Sequence, residues 1–403
     1  MSELWQTEPL GKHCYIKARI GWRGLSASEY TKSGPYLVAG KHIENGVIDW
    51  EHCDHISESR YRESWEIALA DGDVILTKDG TIGRVARVDR LPGKATINGT
   101  MMLVRPMSEI DYRFLYHVLN GSGFKKLIDD KISGSSIPHI FQRDMVTLPV
   151  SFPPTEHQRA LADVLDTLDT AIREGGATIA KLKLIKQGLL HDLLTRGIDE
   201  NGEVRPPTSE APHLYKESPR GWIPKAWDLL QLGKIAALQR GHDIVETAFS
   251  PGPYPVISSS GIVGYHDVST SRGPNVVVGR KGSIGTVHYV ETDFWAHDTS
   301  LFVTNFFGND ERFICHLFTH LRLGQYGTKS GSPSLNRNDV HPLWVGRPNL
   351  PEQKMIVRAL AAHDGTIRGA VEELQKLKKL KLSLMDDLLT GRVRVTRLVT
   401  TKK

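Results

Sequence analysis

The sequence predicts an α+β chain: two globular domains alternating with two long helices that pair as an antiparallel coiled coil, in a tandem repeat with pseudo-twofold symmetry. Three observations carry this reading. Residues 182–195 (LKLIKQGLLHDLLT) return as residues 377–390 (LKKLKLSLMDDLLT), with more than half of the positions identical. Shorter landmarks return in the same order: Gly34-Pro35-Tyr36 as Gly252-Pro253-Tyr254, TKDGTIGRV (77–85) as GRKGSIGTV (279–287), SGSS (133–136) as SGSP (330–333), and Pro154-Thr155-Glu156-His157-Gln158 as Pro351-Glu352-Gln353. Ordered repetition of this kind marks a duplicated architecture. Third, both copies end in an apolar seam too long for one short domain to bury.

The elements follow in chain order. Residues 1–153 form the first globular domain, with strands predicted over 73–77 and 82–88 around a glycine turn and a helix over 111–130. Residues 154–197 form the first helix. Alternating steps of four and three give Leu161, Leu165, Leu168, Ile172, Gly175, Ile179, Leu182, Lys186, Leu189 and Leu193, eight of ten apolar. The helix starts near Thr155 and stops near Gly197, a residue suited to the position just past a helix end. Residues 198–220 hold four prolines and many charges and are expected to be an exposed linker. Residues 221–350 form the second domain, with a strand over 275–279 and a helix over 310–323. Residues 351–391 form the second helix, followed by a tail over 392–403. Its seam reads Ile356, Leu360, His363, Ile367, Ala370, Leu374, Leu377, Lys381, Leu384 and Leu388, again eight of ten apolar with a lysine at the same place. Each helix should run roughly 50–60 Å at about 1.5 Å per residue. Pairing with the other copy buries both seams; packing of each helix on its own domain is the alternative. Gly175-Gly176, Gly365 and Gly369 allow a bend.

Composition sets the class. The chain has 403 residues, 39% hydrophobic and 24% charged, with a net charge of +5. These values suit folded domains and are compatible with, without requiring, a nucleic-acid partner. No run is long and apolar enough to span a membrane, and the start lacks the pattern of a signal peptide. Cys14, Cys53 and Cys315 are odd in number and far apart, as expected for reduced thiols of a cytoplasmic protein.

No catalytic signature emerges. No phosphate-binding P-loop or dinucleotide glycine fingerprint is present. Asp129-Asp130-Lys131 and Glu352-Gln353-Lys354 match short nuclease-like tripeptides, which are common by chance. His52-Cys53-Asp54-His55 with His13-Cys14 lacks the paired spacing of a structural zinc site. The expectation is no catalytic centre, no metal and no cofactor in this chain.

Two repeated polar features could touch DNA. The glycine turns offer Lys78, Thr81 and Arg84 in one copy and Arg280, Lys281 and Ser283 in the other, where backbone N–H groups and cations can approach phosphates. Strand connection alone would also explain them. The second feature offers Ser135, Ser136 and Arg143 in the first half and Lys329, Ser332, Asn336 and Arg337 in the second, side chains suited to base edges or phosphates; a capped loop is the plainer alternative. The stretches that differ most, 40–65 and 240–270, should discriminate sequence if the halves read different sites.

Taken together, the Ser-Gly-Ser turns, the Pro-x-Glu-x-Gln and Pro-Glu-Gln helix starts, the Leu-Lys helices ending in His-Asp-Leu-Leu-Thr-Arg-Gly and Asp-Asp-Leu-Leu-Thr-Gly-Arg, and Gly-Trp-Ile-Pro before the second domain resemble the specificity subunit of type I restriction–modification systems over nearly the whole chain. The resemblance implies two target recognition domains on double-stranded DNA, reading a bipartite asymmetric target. The helices would set the unread spacer and meet two methyltransferase subunits. S-adenosylmethionine, ATP and Mg would belong to partner subunits, including a restriction and translocation subunit. The alternatives are a protein-interaction scaffold with two binding domains, a methyltransferase-only system, or, in another class, a nuclease.

Overall fold

The computed structural model describes residues 5–18, 26–107, 109–133, 138–328 and 333–393. The chain divides into two compact units, 1–176 with 372–403 and 177–371, so each long helix contributes to both.

In the first unit the helices are α1 (Glu58–Arg62), α2 (Tyr112–Val118), α3 (Ser122–Ser133), α4 (Gln142–Val146) and the first half of α5 (Thr155–Thr195). In the second they are the rest of α5, α6 (Glu311–Leu321), α7 (Arg337–Val340) and the first half of α8 (Leu350–Leu389). The second half of α8 returns to the first unit.

Both units share one topology. A four-stranded antiparallel sheet places Met101–Pro106 between Cys14–Ala18 and Val74–Thr77, with Val85–Arg87 at its edge; its counterpart places Ser300–Asn305 between Ala237–Arg240 and Asn275–Gly279, with Val287–Val290 at the edge. A three-stranded sheet packs beside each, and in both it contains one parallel pair, Thr31–Val38 with Ala95–Ile97 and Tyr254–Ser258 with Trp295–Ala296. A short ladder joins Gln6–Pro9 to Pro149–Phe152, the strand before α5, and its counterpart joins Asp228–Gln231 to Trp344–Arg347, the strand before α8.

The strands over 74–77 and 275–279 are fully buried, which explains their continuous apolar runs. The expected strand 82–88 is shorter, Val85–Arg87, because Ile82 and Gly83 remain in the turn. The helix expected over 111–130 is two helices. Asn120 and Gly121 break it, and Asp111 caps α2 by accepting from the Arg113 and Phe114 N–H groups. The segment 198–220, expected to be an exposed linker, is folded into the second unit. Ile198, Ala211 and Tyr215 are buried, and Tyr215–Ser218 pairs with Gly221–Pro224 as a hairpin.

The long helices span 41 and 40 residues and run unbroken through Gly175-Gly176, Gly365 and Gly369. Gly197 (φ +69°) and Gly391 (φ +72°) end them in the left-handed region. The helices pair, and within each unit the pair also docks on the globular core. In the first unit Leu161 and Leu165 of α5 share one core with Met385 and Leu388 of α8 and Phe114 of α2. In the second, Leu193 and Leu194 share a core with Ile356 and Leu360 of α8 and Phe313 of α6. Leu168, Ile172, Ile179, Leu182, Leu189, Ile367, Leu374, Leu377 and Leu384 are buried or half-buried along the seam. At mid-seam in the first unit, Leu374 Cδ1 lies 3.4 Å from where a Cβ on Gly175 would stand, so glycine there admits a close approach. Off the seam, Leu184, Ile185, Leu380 and Leu382 are exposed.

Among the described residues, no helix is long and apolar enough to cross a membrane.

Candidate nucleic-acid interface

The two polar features that the sequence offers for DNA meet in space, once in each unit. In the first unit the buried strand ending at Thr77 feeds a turn held by backbone bonds. The Gly83 N–H donates to the Thr77 carbonyl at 2.9 Å, and the Thr77 hydroxyl donates to the Thr81 carbonyl at 2.5 Å. In the second unit the Gly285 N–H donates to the Gly279 carbonyl at 2.8 Å. Gly279 stands where Thr77 does, and a Cβ there would lie 2.0 Å from the Ser283 carbonyl oxygen, so this copy of the turn requires glycine.

Each turn is then stitched to the segment carrying the second feature. The Lys78 carbonyl accepts from the Ile140 N–H at 3.0 Å, and the Arg280 carbonyl accepts from the Leu335 N–H at 2.9 Å. Those segments lead directly into α4 and α7. The turns therefore have the geometric role of strand connectors and also form one wall of a polar surface.

The charged groups differ between units. Lys78 does not project to solvent: its side chain is 7% exposed and donates to Asp79 at 2.6 Å. Asp79 also holds the His139 ring. Burial works against charge on Asp79, but the bonds from Lys78 and His139 outweigh it and keep the carboxyl below its ordinary range. The Lys78 ammonium is thus spent inside the unit, contrary to its expected approach to phosphate. Thr81 and Arg84 are exposed, and Arg84 donates to the Gly40 carbonyl at 3.2 Å. Arg143 lies 4.6 Å over the ring of Phe141, which is 45% exposed, and Lys131 reaches the same ring at 5.9 Å. An exposed aromatic flanked by two cations suits stacking against a base or sugar beside phosphate.

In the second unit an open groove of about 840 Å³ is lined by Gln239, Arg240, His242, Arg280, Asn336, Arg337 and Asn338. Arg240 donates to the Asp298 carboxylate at 2.9 Å and Arg280 to the Asp298 carbonyl at 3.2 Å, which orients both guanidinium groups. Arg337 and Asn338 are exposed, and Asn336 caps α7 through the Asn338 N–H. Lys281 and Ser283 are exposed at the turn. Amide and guanidinium groups in one groove match the donor and acceptor edges of base pairs. Ser135, Ser136, Lys329 and Ser332 lie outside the described residues. The divergent stretches carry large exposed side chains: Trp65 is 76% exposed, and the strand Gly261–His266 exposes Ile262 and Tyr265.

Other repeated residues hold the units together. Gln158 and Gln353 are buried clamps. The side-chain oxygen of each accepts the backbone N–H of the cap residue of α2 or α6, Asp111 or Asp310, at 2.9 Å, and its amide donates to the Pro153 or Pro348 carbonyl at 2.9 Å. Glu352, part of a nuclease-like tripeptide, is buried against Arg205, the Trp227 indole N–H and the Ile198 N–H. Cys14 and Cys53 are buried, with thiols pushed up to about 12 by burial, and His13 is held by Glu8 rather than by a cysteine.

A cluster that the sequence reading missed is His117 with Asp166 and Asp169, whose ligating atoms come close enough to hold a metal. Arg87 donates to Asp166 at 2.6 Å and Lys381 holds Asp169, so cations of the chain already neutralise both carboxylates. The signal was present in the repeat. Asp111-x-Arg113-Phe114-x-x-His117 returns as Asp310-x-Arg312-Phe313-x-x-His316.

A family model described as the type I restriction modification DNA specificity domain matches residues 16–184 and 224–381. The chain is 22% identical over 367 residues to the type I restriction enzyme MjaVIII specificity subunit of Methanocaldococcus jannaschii, covering 83% of this chain and 82% of that protein. It is 22% identical over 417 residues to the EcoDI specificity subunit of Escherichia coli, covering 93% and 89%. Among solved structures, a chain from a type I R-M system aligns with a TM-score of 0.63 at 16% identity, covering 96% of this chain and 98% of that one. The type I S subunit of M. genitalium aligns at 0.57 and 15% identity, covering 96% and 97%.

Proposed function

This chain belongs to the type I restriction-modification DNA specificity family and is a specificity subunit, a non-catalytic DNA-recognition component; from that premise we propose that each globular unit reads one half of a bipartite, asymmetric target. The observation that carries the proposal is the convergence, once per unit, of the glycine turn with the segment entering α4 or α7. In the first unit Arg84, Arg143 and Phe141 supply cations and a stacking ring. In the second, Arg280, Arg337, Asn336 and Asn338 supply fork-shaped and amide donors suited to guanine and adenine edges. Two such surfaces with different side chains suit two different half-sites.

Beyond this, the paired helices set the length of unread DNA between half-sites and present their outer faces to two methyltransferase subunits. S-adenosylmethionine and the methyl transfer, with the target adenine turned out of the duplex, belong to those subunits. ATP and Mg belong to a restriction and translocation subunit joining the same assembly. The test is reconstitution. The full chain with its cognate methyltransferase subunit should methylate two adenines in one split site, with a fixed gap between the specified halves. Methylation without a sequence requirement, or no complex at all, would refute the proposal.

A further inference from the structure

The helix seam is apolar except at a few positions, and two of those are the equivalent lysines Lys186 and Lys381. An ammonium on an apolar seam is costly unless a carboxylate meets it. Each lysine finds one on the facing helix. Lys186 donates to Asp364 at 2.5 Å in the second unit, and Lys381 holds Asp169 in the first. The pairs are partly shielded: the lysines are 29% and 15% exposed and the aspartates 42% and 23%.

The two bonds obey one register. Asp169 and Lys186 are as far apart on α5 as Asp364 and Lys381 are on α8. Each helix offers a carboxylate from its first half and an ammonium from its second, and antiparallel packing satisfies both at once. The leucines alone do not make this choice. Their pattern repeats with the heptad, so a slip of one heptad sets apolar residues against apolar residues again. The lysines forbid it. After such a slip Lys381 would face Ala162 or Gly176, and Lys186 would face Val357 or Val371, none of which can accept a hydrogen bond from its side chain.

We infer that the Lys186–Asp364 and Lys381–Asp169 bonds are the pins that fix the antiparallel register of α5 and α8, and that these four are therefore positioning residues for the spacer length of the DNA target. The second clause rests on the specificity-subunit reading; the first does not. One heptad is about 10.5 Å of helix, or about three base pairs of duplex.

The experiment uses the full chain with two variants. One has an apolar seam (Lys186→Met, Lys381→Met, Asp169→Leu, Asp364→Leu), expected to fold because apolar replacement of shielded ion pairs is commonly neutral or stabilising. The other exchanges the charges (Lys186→Asp, Asp364→Lys, Lys381→Asp, Asp169→Lys). Disulfide formation between Gly175→Cys and Leu374→Cys reports the observed register, and between Gly175→Cys and Ile367→Cys a one-heptad slip. The parent and the charge-exchanged chain should crosslink only in the observed register. The apolar chain should also give the slipped product, raising its yield relative to the parent by about tenfold or more, as loss of two coupled pairs implies. In complex with the methyltransferase subunit, its preferred spacer should broaden by about three base pairs. An apolar chain that crosslinks only in the observed register, or a charge-exchanged chain that slips, overturns the inference. Slipped crosslinks with an unmoved spacer would uphold the pins and refute the helices' role in setting the spacer.

Discussion

Glu352 offers the sharpest energetic test of how the second unit is built. Its carboxylate is 6% exposed and receives Arg205 Nη1 at 2.5 Å, Arg205 Nη2 at 3.2 Å, the Ile198 N–H at 3.0 Å and the Trp227 indole N–H at 3.1 Å. Glu352→Ala strands a guanidinium whose side chain is only 14% exposed, and such truncation of a shielded pair costs about 3–5 kcal/mol. Two neutral donors lose their acceptor as well, at about 1–3 kcal/mol each if no water replaces it. Because these losses overlap, the expected total is about 4 kcal/mol, or roughly 8–16 °C in the melting transition of a unit this size. Glu352→Gln keeps an acceptor but not the charge, and should cost about half as much. Calorimetry of the DNA-free chain reads both values. A neutral or stabilising Glu352→Gln would refute the reasoning.

Further outcomes follow from the same geometry. His316 is pushed down to about 4 by burial and then by the Lys186 charge, so only the unfolded chain gains its proton as pH falls below about 6.5; stability present at pH 7 should fall by about 2 kcal/mol by pH 5 and by at most about 3 near pH 4. His316→Leu should flatten this slope in denaturant titrations, leaving a remainder from His42, His117, His320 and His341, which burial also holds down; an unchanged slope would contradict it. Arg84→Ala and Lys281→Ala, which remove exposed cations of the two glycine turns, should each reduce the dependence of DNA affinity on salt by about one phosphate contact, whereas Lys78→Ala should leave that dependence unaltered and lower the melting temperature. Cys14 and Cys53, both buried and pushed up to about 12, should react with thiol reagents at pH 8 only as fast as the chain opens, so rapid labelling of either in the native protein would count against the packing described.

The parts legible in the sequence are those with short-range periodicity. The heptad seam gave the long helices, and Gly197 and Gly391 gave their ends, because a helix repeats its environment every turn. The glycine turns were legible because a left-handed conformation restricts residue choice. What stayed hidden depends on contacts between distant residues. Gln158 and Gln353 are ordinary glutamines until the cap residue of α2 or α6 arrives beside them. The segment 198–220 looks like a linker from its prolines and charges, yet Arg205 is drawn in by Glu352 from the far end of the unit. Lys78 offers its charge in the sequence, and only its rotamer toward Asp79 shows that the charge is already used. Phe141 is an isolated aromatic before a short helix, and such a residue carries no pattern in the sequence.

The claim that each unit reads its own half-site is tested most directly by relaxing one half. Asn336→Ala with Asn338→Ala alters side chains in the second unit's groove alone. Methylated sites mapped across a random library, for the complex carrying this chain, should keep one half-site and the gap intact and lose specificity within the other half. Relaxation of both halves together, or of neither, would contradict the account.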